Sequence, residues 1–141
     1  MENLNYEERP WGSFEILLDS TKCKVKEIIV SPDQRLSYQS HKFRQEVWTV
    51  TEGVLTVVLE GKTHSVPEGH SIRIPLGHKH RAWNRTSTPV KFIEVQTGTY
   101  FGEDDIIRFE DDYSRGEFDH LADGNYIGGL TMPKSNTNKL K

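Results

Sequence analysis

Three side chains able to hold a metal ion fall within eight positions of the stretch LSYQSHKFRQEVWTVTEG (36–53): Gln39, His41 and Glu46. An amide oxygen, an imidazole and a carboxylate make a mixed nitrogen/oxygen donor set of the kind that divalent ions accept. A second stretch, GHSIRIPLGHKHRAWN (69–84), places His80 just after a Pro-x-Gly turn and Asn84 four residues further on. Side chains two apart in a strand share a face, so a strand through 39–41 projects Gln39 and His41 together. A turn after them, in residues that include Lys42 and Arg44, folds Glu46 back beside the pair. The alternative for the same residues is a set of hydrogen-bonded polar groups on a strand face or in a barrel mouth.

Such positions need strands to carry them. Apolar and polar residues alternate in KVKEIIV (24–30), EVWTVTEG (46–53), VLTVVLEG (54–61), HSIRIP (70–75) and VKFIEVQTG (90–98), the pattern of half-buried strands. Pro32, Gly53, Gly61, Pro67 with Gly69, Pro75 with Gly77, and Pro89 punctuate them. Turn signals at this spacing predict a small antiparallel sandwich or barrel. No long segment has a 3.6-residue period, so helices are expected to be few. The acidic run GEDDIIRFEDDYSRGEFDHLAD (102–123) is expected to hold one short helix or turn. From Gly124 onward Gly, Asn, Ser and Lys accumulate. The expected organisation is therefore a barrel domain over 1–123 and a partly flexible tail over 124–141.

The bulk properties narrow the function classes. A chain of 141 residues suits one domain with one core. Its net charge of −3 argues against a nucleic-acid surface. A single cysteine, Cys23, excludes an internal disulfide and fits a reducing compartment. No apolar run has transmembrane length and no signal-peptide pattern opens the chain, so the expectation is a cytoplasmic protein without a membrane partner. NRT at 84–86 matches the glycosylation sequon and is read as chance.

The two stretches resemble the paired motifs of the cupin family. In the first, G-x5-H-x-H-x4-E-x6-G, Asp33 stands at the leading glycine and Gln39 at the first histidine, with His41, Glu46 and Gly53 on the remaining positions. The second, G-x5-P-x-G-x2-H-x3-N, is matched in full by Gly69, Pro75, Gly77, His80 and Asn84. RPWGSFEIL, LSYQSHKFRQEVW and EVQTGTYFGEDDIIRFEDDYSR are similar to the type II mannose-6-phosphate isomerase domain, over roughly residues 8 to 115. The family pattern Q-x-H-x-H-R-x-E-x-W is met at Gln39, His41, Arg44, Glu46 and Trp48. It is broken at Phe43, where the family usually shows His, and Val47 replaces a His common before the Trp. In many members the domain follows a mannose-1-phosphate guanylyltransferase; no Gly-rich nucleotide loop is present here, so a transferase is expected only as a separate partner.

The resemblance implies an all-β, double-stranded β-helix (the cupin jelly-roll barrel) with short terminal extensions. It also implies one divalent metal ion, Zn²⁺ or Mn²⁺, held by Gln39, His41, Glu46 and His80. The implied activity is interconversion of mannose 6-phosphate and fructose 6-phosphate, in the synthesis of sugar-nucleotide precursors of polysaccharides. Such an isomerisation needs polarised sugar oxygens, a base between C1 and C2, and a held phosphate. Arg44, Glu46 and Arg81 are the candidate catalytic residues, and Arg44, Lys79 and Arg81 the candidates for the phosphate. A non-catalytic cupin that binds a sugar or sugar nucleotide is the rival, favoured by Phe43 and Val47. A small-molecule dioxygenase is weakened by Gln39, since iron oxygenases favour two His and one carboxylate, or three His.

Among the remaining residues, Lys42 and His78 read as solvated loop positions, and His64, His70 and His120 as surface. Trp48 reads as core, Trp83 as a possible sugar-stacking ring, and Trp11 as the anchor of the first strand. Tyr100, Glu103, Asp104 and Asp105 lie in a family-like segment to which the sequence assigns no role. A C2 homodimer is expected, with the segment around Pro10 and Trp11 covering a neighbour.

Overall fold

The computed structural model describes residues 5–113. Eleven strands follow one another: β1 (Tyr6–Arg9), β2 (Gly12–Asp19), β3 (Cys23–Val30), β4 (Tyr38–Ser40), β5 (Arg44–Glu52), β6 (Leu55–Leu59), β7 (Lys62–Val66), β8 (Ser71–Ile74), β9 (His80–Trp83), β10 (Val90–Gly98) and β11 (Ile107–Glu110). They form a six-stranded sheet, β1-β2-β3-β10-β5-β8, and a five-stranded sheet, β11-β4-β9-β6-β7. Every pairing is antiparallel. The two sheets pack face to face as the double-stranded β-helix expected from the motifs. No helix of the described residues is long and apolar enough to cross a membrane.

The inward faces change character along the strands, and this places the site. On β10 the buried residues are Val90, Phe92, Glu94 and Gln96; on β5 they are Arg44, Glu46, Trp48 and Val50. Pairing sets Phe92 beside Val50, Glu94 beside Trp48, and Gln96 beside Glu46. The barrel is therefore apolar at one end, where Val30, Leu55, Val57, Ala82 and Ile74 complete the core, and polar at the other. An apolar end supplies the hydrophobic stabilisation, while the polar end must be hydrogen-bonded throughout to be tolerated.

Two backbone details shape the polar end. Gly98 closes β10 at φ 152°, and a Cβ there would collide with the Phe43 carbonyl oxygen. Only glycine lets β10 approach the turn that leads into β5 so closely. Asp33, which stands where the first cupin motif has glycine, has φ 63°. The left-handed conformation explains the motif's glycine, and aspartate is among the few other residues that adopt it readily.

Within 102–113 the acidic run takes the turn alternative rather than a helix, and β11 follows it. The proposed boundary at 123/124, the C-terminal tail and His120 lie outside the described residues. Trp11 is buried at 5% exposure in its own barrel, as an anchor of the first strands, while Pro10 beside it is exposed.

Candidate metal centre

The polar end encloses a cavity of about 160 Å³ lined by residues of both sheets, among them Lys26, Gln39, His41, Arg44, Glu46, Trp48, His80 and Glu94. Glu46 projects from β5 in the first sheet. Gln39 on β4 and His80 on β9 are cross-strand partners in the second, so they share a face. His41 lies in the turn between β4 and β5. One ligand-capable atom each from His41, Glu46 and His80 fall within 4.8 Å of one another, all buried.

Hydrogen bonds fix which atoms face the centre. His41 Nδ1 lies 2.7 Å from the Asp105 carbonyl oxygen, and His80 Nδ1 lies 2.9 Å from that of His78. A carbonyl only accepts, so each Nδ1 carries the proton and each Nε2 keeps its lone pair. The His41 Nε2 stands 3.4 Å from Glu46 Oε2, and the His80 Nε2 4.0 Å from Glu46 Oε1. Gln39 donates its amide nitrogen to Ser37 Oγ (2.8 Å) and to the Ser37 carbonyl, which leaves its amide oxygen out of these bonds. Trp48 Nε1 donates to Glu46 Oε1 at 2.8 Å, and Arg44 Nε donates to Oε2 at 2.9 Å. These are the outer contacts that orient metal ligands. Two imidazoles with fixed tautomers and one carboxylate, with Gln39 in the same cavity wall, make a donor set that a divalent ion accepts.

Electrostatics agree with this use. Burial, against the opposing pull of Glu46, lowers the His80 pKa to about 4, and burial also lowers that of His41. Both imidazoles are thus neutral at pH 7, the form that ligates. Burial alone raises the Glu46 carboxyl, but His41, His80 and Arg44 outweigh it and bring it down to about 2.

Arg44 stands inside the centre. Its Nη2 lies 3.3 Å from the His41 Nε2, and its Nη1 is buried without a partner. An unpartnered buried N–H is costly, and an anionic ligand oxygen in the cavity would satisfy it. Arg81 follows His80 on β9, and alternation sends it to the opposite face. It still borders the cavity: its Nε donates to the Leu36 carbonyl and its Nη1 pairs with Glu110 at 3.0 Å, while its Nη2, like the Arg44 Nη1, is buried without a partner. Lys79 is exposed, with its ammonium 4.5 Å from the Phe109 ring centroid, and it does not line the cavity.

The two departures from the family pattern both lie outside the cavity. Phe43 is 45% exposed and packs edge-on against Tyr100. Val47 is 39% exposed, on the face of β5 opposite Glu46 and Trp48. Trp48 packs on Phe92 and on the His80 ring, whereas Trp83 carries Arg35 and Arg85 against its ring and does not line the cavity. His64 and His70 are exposed, as expected. Asn84 is structural: fully buried, it donates to the Val30 and Thr88 carbonyls and accepts from Thr86, so the sequon is inaccessible.

Residues that motif reading missed complete the site. Lys26 and Glu94, cross-strand partners on β3 and β10, are buried in the cavity wall at 4% and 5% exposure. Counting by twos along VKFIEVQTG would have found Glu94 and Gln96 on the face of Val90 and Phe92, where polar residues signal function. Segment 99–110 supplies the rest. Glu103 pairs with Lys26 at 2.6 Å. The Asp105 carboxylate accepts from the amides of Lys42 and Phe43, both at 2.9 Å, while its carbonyl holds His41.

Comparison with known proteins agrees with this architecture. The family model for the mannose-6-phosphate isomerase C-terminal domain matches residues 2–111. The alginate biosynthesis protein AlgA of Pseudomonas aeruginosa is 44% identical over 107 residues, 76% of this chain and 22% of that protein. The mannose-1-phosphate guanylyltransferase ManC of Salmonella typhimurium is 41% identical over 107 residues, with 76% and 22% covered. The chain thus spans less than a quarter of the length of these relatives. Among solved structures, a cupin-superfamily sugar phosphate isomerase from Silicibacter pomeroyi aligns with a TM-score of 0.56 at 26% identity, covering 64% of this chain and 65% of that one. KdgF from Halomonas aligns with a TM-score of 0.64 at 15% identity, covering 70% and 88%, a likeness of fold alone.

Proposed function

The chain belongs to the mannose-6-phosphate isomerase C-terminal family, and from that premise we propose that it interconverts mannose 6-phosphate and fructose 6-phosphate with one divalent ion. The observation that carries this reading is the meeting of His41, Glu46 and His80 within one buried cavity, beside an arginine whose Nη1 lacks a partner. Gln39, His41, Glu46 and His80 hold the ion, which when bound supplies Lewis acidity toward the sugar's C1 and C2 oxygens. Trp48 and Arg44 keep the Glu46 carboxylate in place, and the Asp105 and His78 carbonyls keep both imidazoles in the ligating tautomer. Arg44 offers Nη1, and Arg81 its unpartnered Nη2, to anionic oxygens of the substrate; Lys79 serves the surface. A guanylyltransferase of the kind named among the relatives is, on this reading, the partner that uses the sugar phosphate further on.

The cavity's size supports a monosaccharide. At about 160 Å³ it falls below the roughly 300–1,000 Å³ of pockets for drug-sized ligands, which disfavours a sugar nucleotide. Moreover, the substitutions that favoured a non-catalytic cupin, Phe43 and Val47, leave the cavity untouched. The test is turnover of mannose 6-phosphate by purified protein, chelated and then reloaded with Zn²⁺ or Mn²⁺. Activity lost on chelation and regained with about one equivalent of metal is expected. A fully loaded protein that binds the sugar phosphate without turnover would establish a binding module instead.

A further inference from the structure

Isomerisation requires a group that takes a proton from one carbon and returns it to the next. Resting on the reading above, we propose that Glu94 is that group. It projects into the cavity from β10, between Lys26 on β3 and Trp48 on β5, which flank it in register. The other acidic side chains of the site are already committed. Glu46 accepts from Trp48 and Arg44 and faces both imidazoles. Both Asp105 oxygens accept backbone amides. Glu103 is 54% exposed and paired with Lys26.

The surroundings of Glu94 suit either protonation state. Gln96 Nε2 donates to Glu94 Oε2 at 2.6 Å, while Gln96 Oε1 is buried without a partner. An amide can turn over: nitrogen donates to a carboxylate, and oxygen accepts from a carboxylic acid. Gln96 therefore serves the base before proton abstraction and the acid after it. Burial, reinforced by the Glu46 charge, raises the Glu94 pKa, the direction that suits a base. A carboxyl on the inward face beside Phe92 is also poor for stability, and such violations of core patterning are expected where function demands them.

The step balances without a further reactant. The C2–H bond breaks, its proton passes to the Glu94 carboxylate, and its electron pair forms the C1=C2 bond as the aldehyde π pair moves onto O1. The hydroxyl proton passes from O2 to O1. The pair on O2 then forms the ketone, and C1 takes the proton back from Glu94, which is regenerated. No net oxidation or reduction occurs.

The experiment compares wild type, Glu94→Gln and Glu94→Asp, each loaded with Zn²⁺ or Mn²⁺. Metal content, calorimetric affinity for fructose 6-phosphate, turnover, and deuterium entry at C1 of fructose 6-phosphate in heavy water are measured. In Glu94→Gln, kcat and C1 exchange should fall together by roughly 10²- to 10⁴-fold, with metal content unchanged and affinity within about threefold. Glu94→Asp, which keeps a displaced carboxyl, should recover part of both. An active wild type with Glu94→Gln within tenfold of it would overturn the assignment alone. So would loss of metal from Glu94→Gln, which would make the residue a support of the centre. An inactive, metal-loaded wild type would instead overturn the isomerase reading itself.

Discussion

Replacing Asp105 by Ala should loosen the turn that carries His41 more than it harms the barrel. The change removes a carboxylate, 9% exposed, that accepts the Lys42 and Phe43 amides at 2.9 Å each. Hydrogen bonds to charged groups contribute about 1.5–3 kcal/mol apiece. Lys42 and Phe43 are both exposed, so water can replace part of what is lost, and about 2 kcal/mol in total is a reasonable expectation. For a chain of this size that lowers Tm by roughly 5–8 °C. Asp105→Asn keeps one acceptor oxygen and should lose about half as much. Because the Asp105 carbonyl orients His41 through Nδ1, Zn²⁺ affinity should also drop, by roughly tenfold or more. Thermal denaturation of chelated protein and calorimetric titration with Zn²⁺ measure the two effects. An unchanged Tm would refute the energetic argument, and a lowered Tm with wild-type Zn²⁺ affinity would refute the claim that this segment positions the ligand.

The remaining predictions concern acid and the atypical family positions. The His80 pKa lies at about 4, below the usual 6.5 or so of an unfolded chain. The folded state therefore binds fewer protons between these values, and stability is full above about 6.5 and lost as pH falls toward 4, by about 3 kcal/mol. His41 is shifted in the same direction, while Glu46, held at about 2, adds stability that is lost only at still lower pH. Urea titrations of chelated protein at pH 7, 5.5 and 4.5 should show the midpoint falling, less steeply in His80→Gln; equal slopes in the two would disprove the assignment. Phe43→His and Val47→His, both outside the cavity, should each change kcat by less than about twofold, and a large gain from either would show that the missing histidine matters to the chemistry.

How much of this was legible beforehand depended on how local the signal was. Alternation in 24–30, 46–53 and 90–98 marked the central strands β3, β5 and β10, because each buries one face only. The short β9 carries no such mark: His80, Arg81 and Ala82 are all buried, since Arg81 is covered from outside by its contacts with Leu36 and Glu110. The ligand motifs were readable because their spacing encodes strand and turn geometry. Lys79 was expected at the substrate because it neighbours His80 in sequence, yet it is exposed and off the cavity, whereas Arg81 on the other side of His80 does border it. The role of Asp105 could not be seen, since its partners lie 62 and 63 residues away and no local pattern encodes that meeting.

The place of Arg44 bears on the order in which the protein folds and acquires its ion. A buried carboxylate with no counter-charge costs several kcal/mol, and small metal domains whose ligands depend on the ion stay unfolded until it arrives. Here Glu46 has an internal cation at 2.9 Å and an indole N–H at 2.8 Å, so the barrel can close with its carboxylate already neutralised. On the proposed reading, metallation would follow folding rather than drive it. Arg44 would then give up its contact with the His41 Nε2 to an ion, and the choice of ion would fall to what is available after the chain has folded.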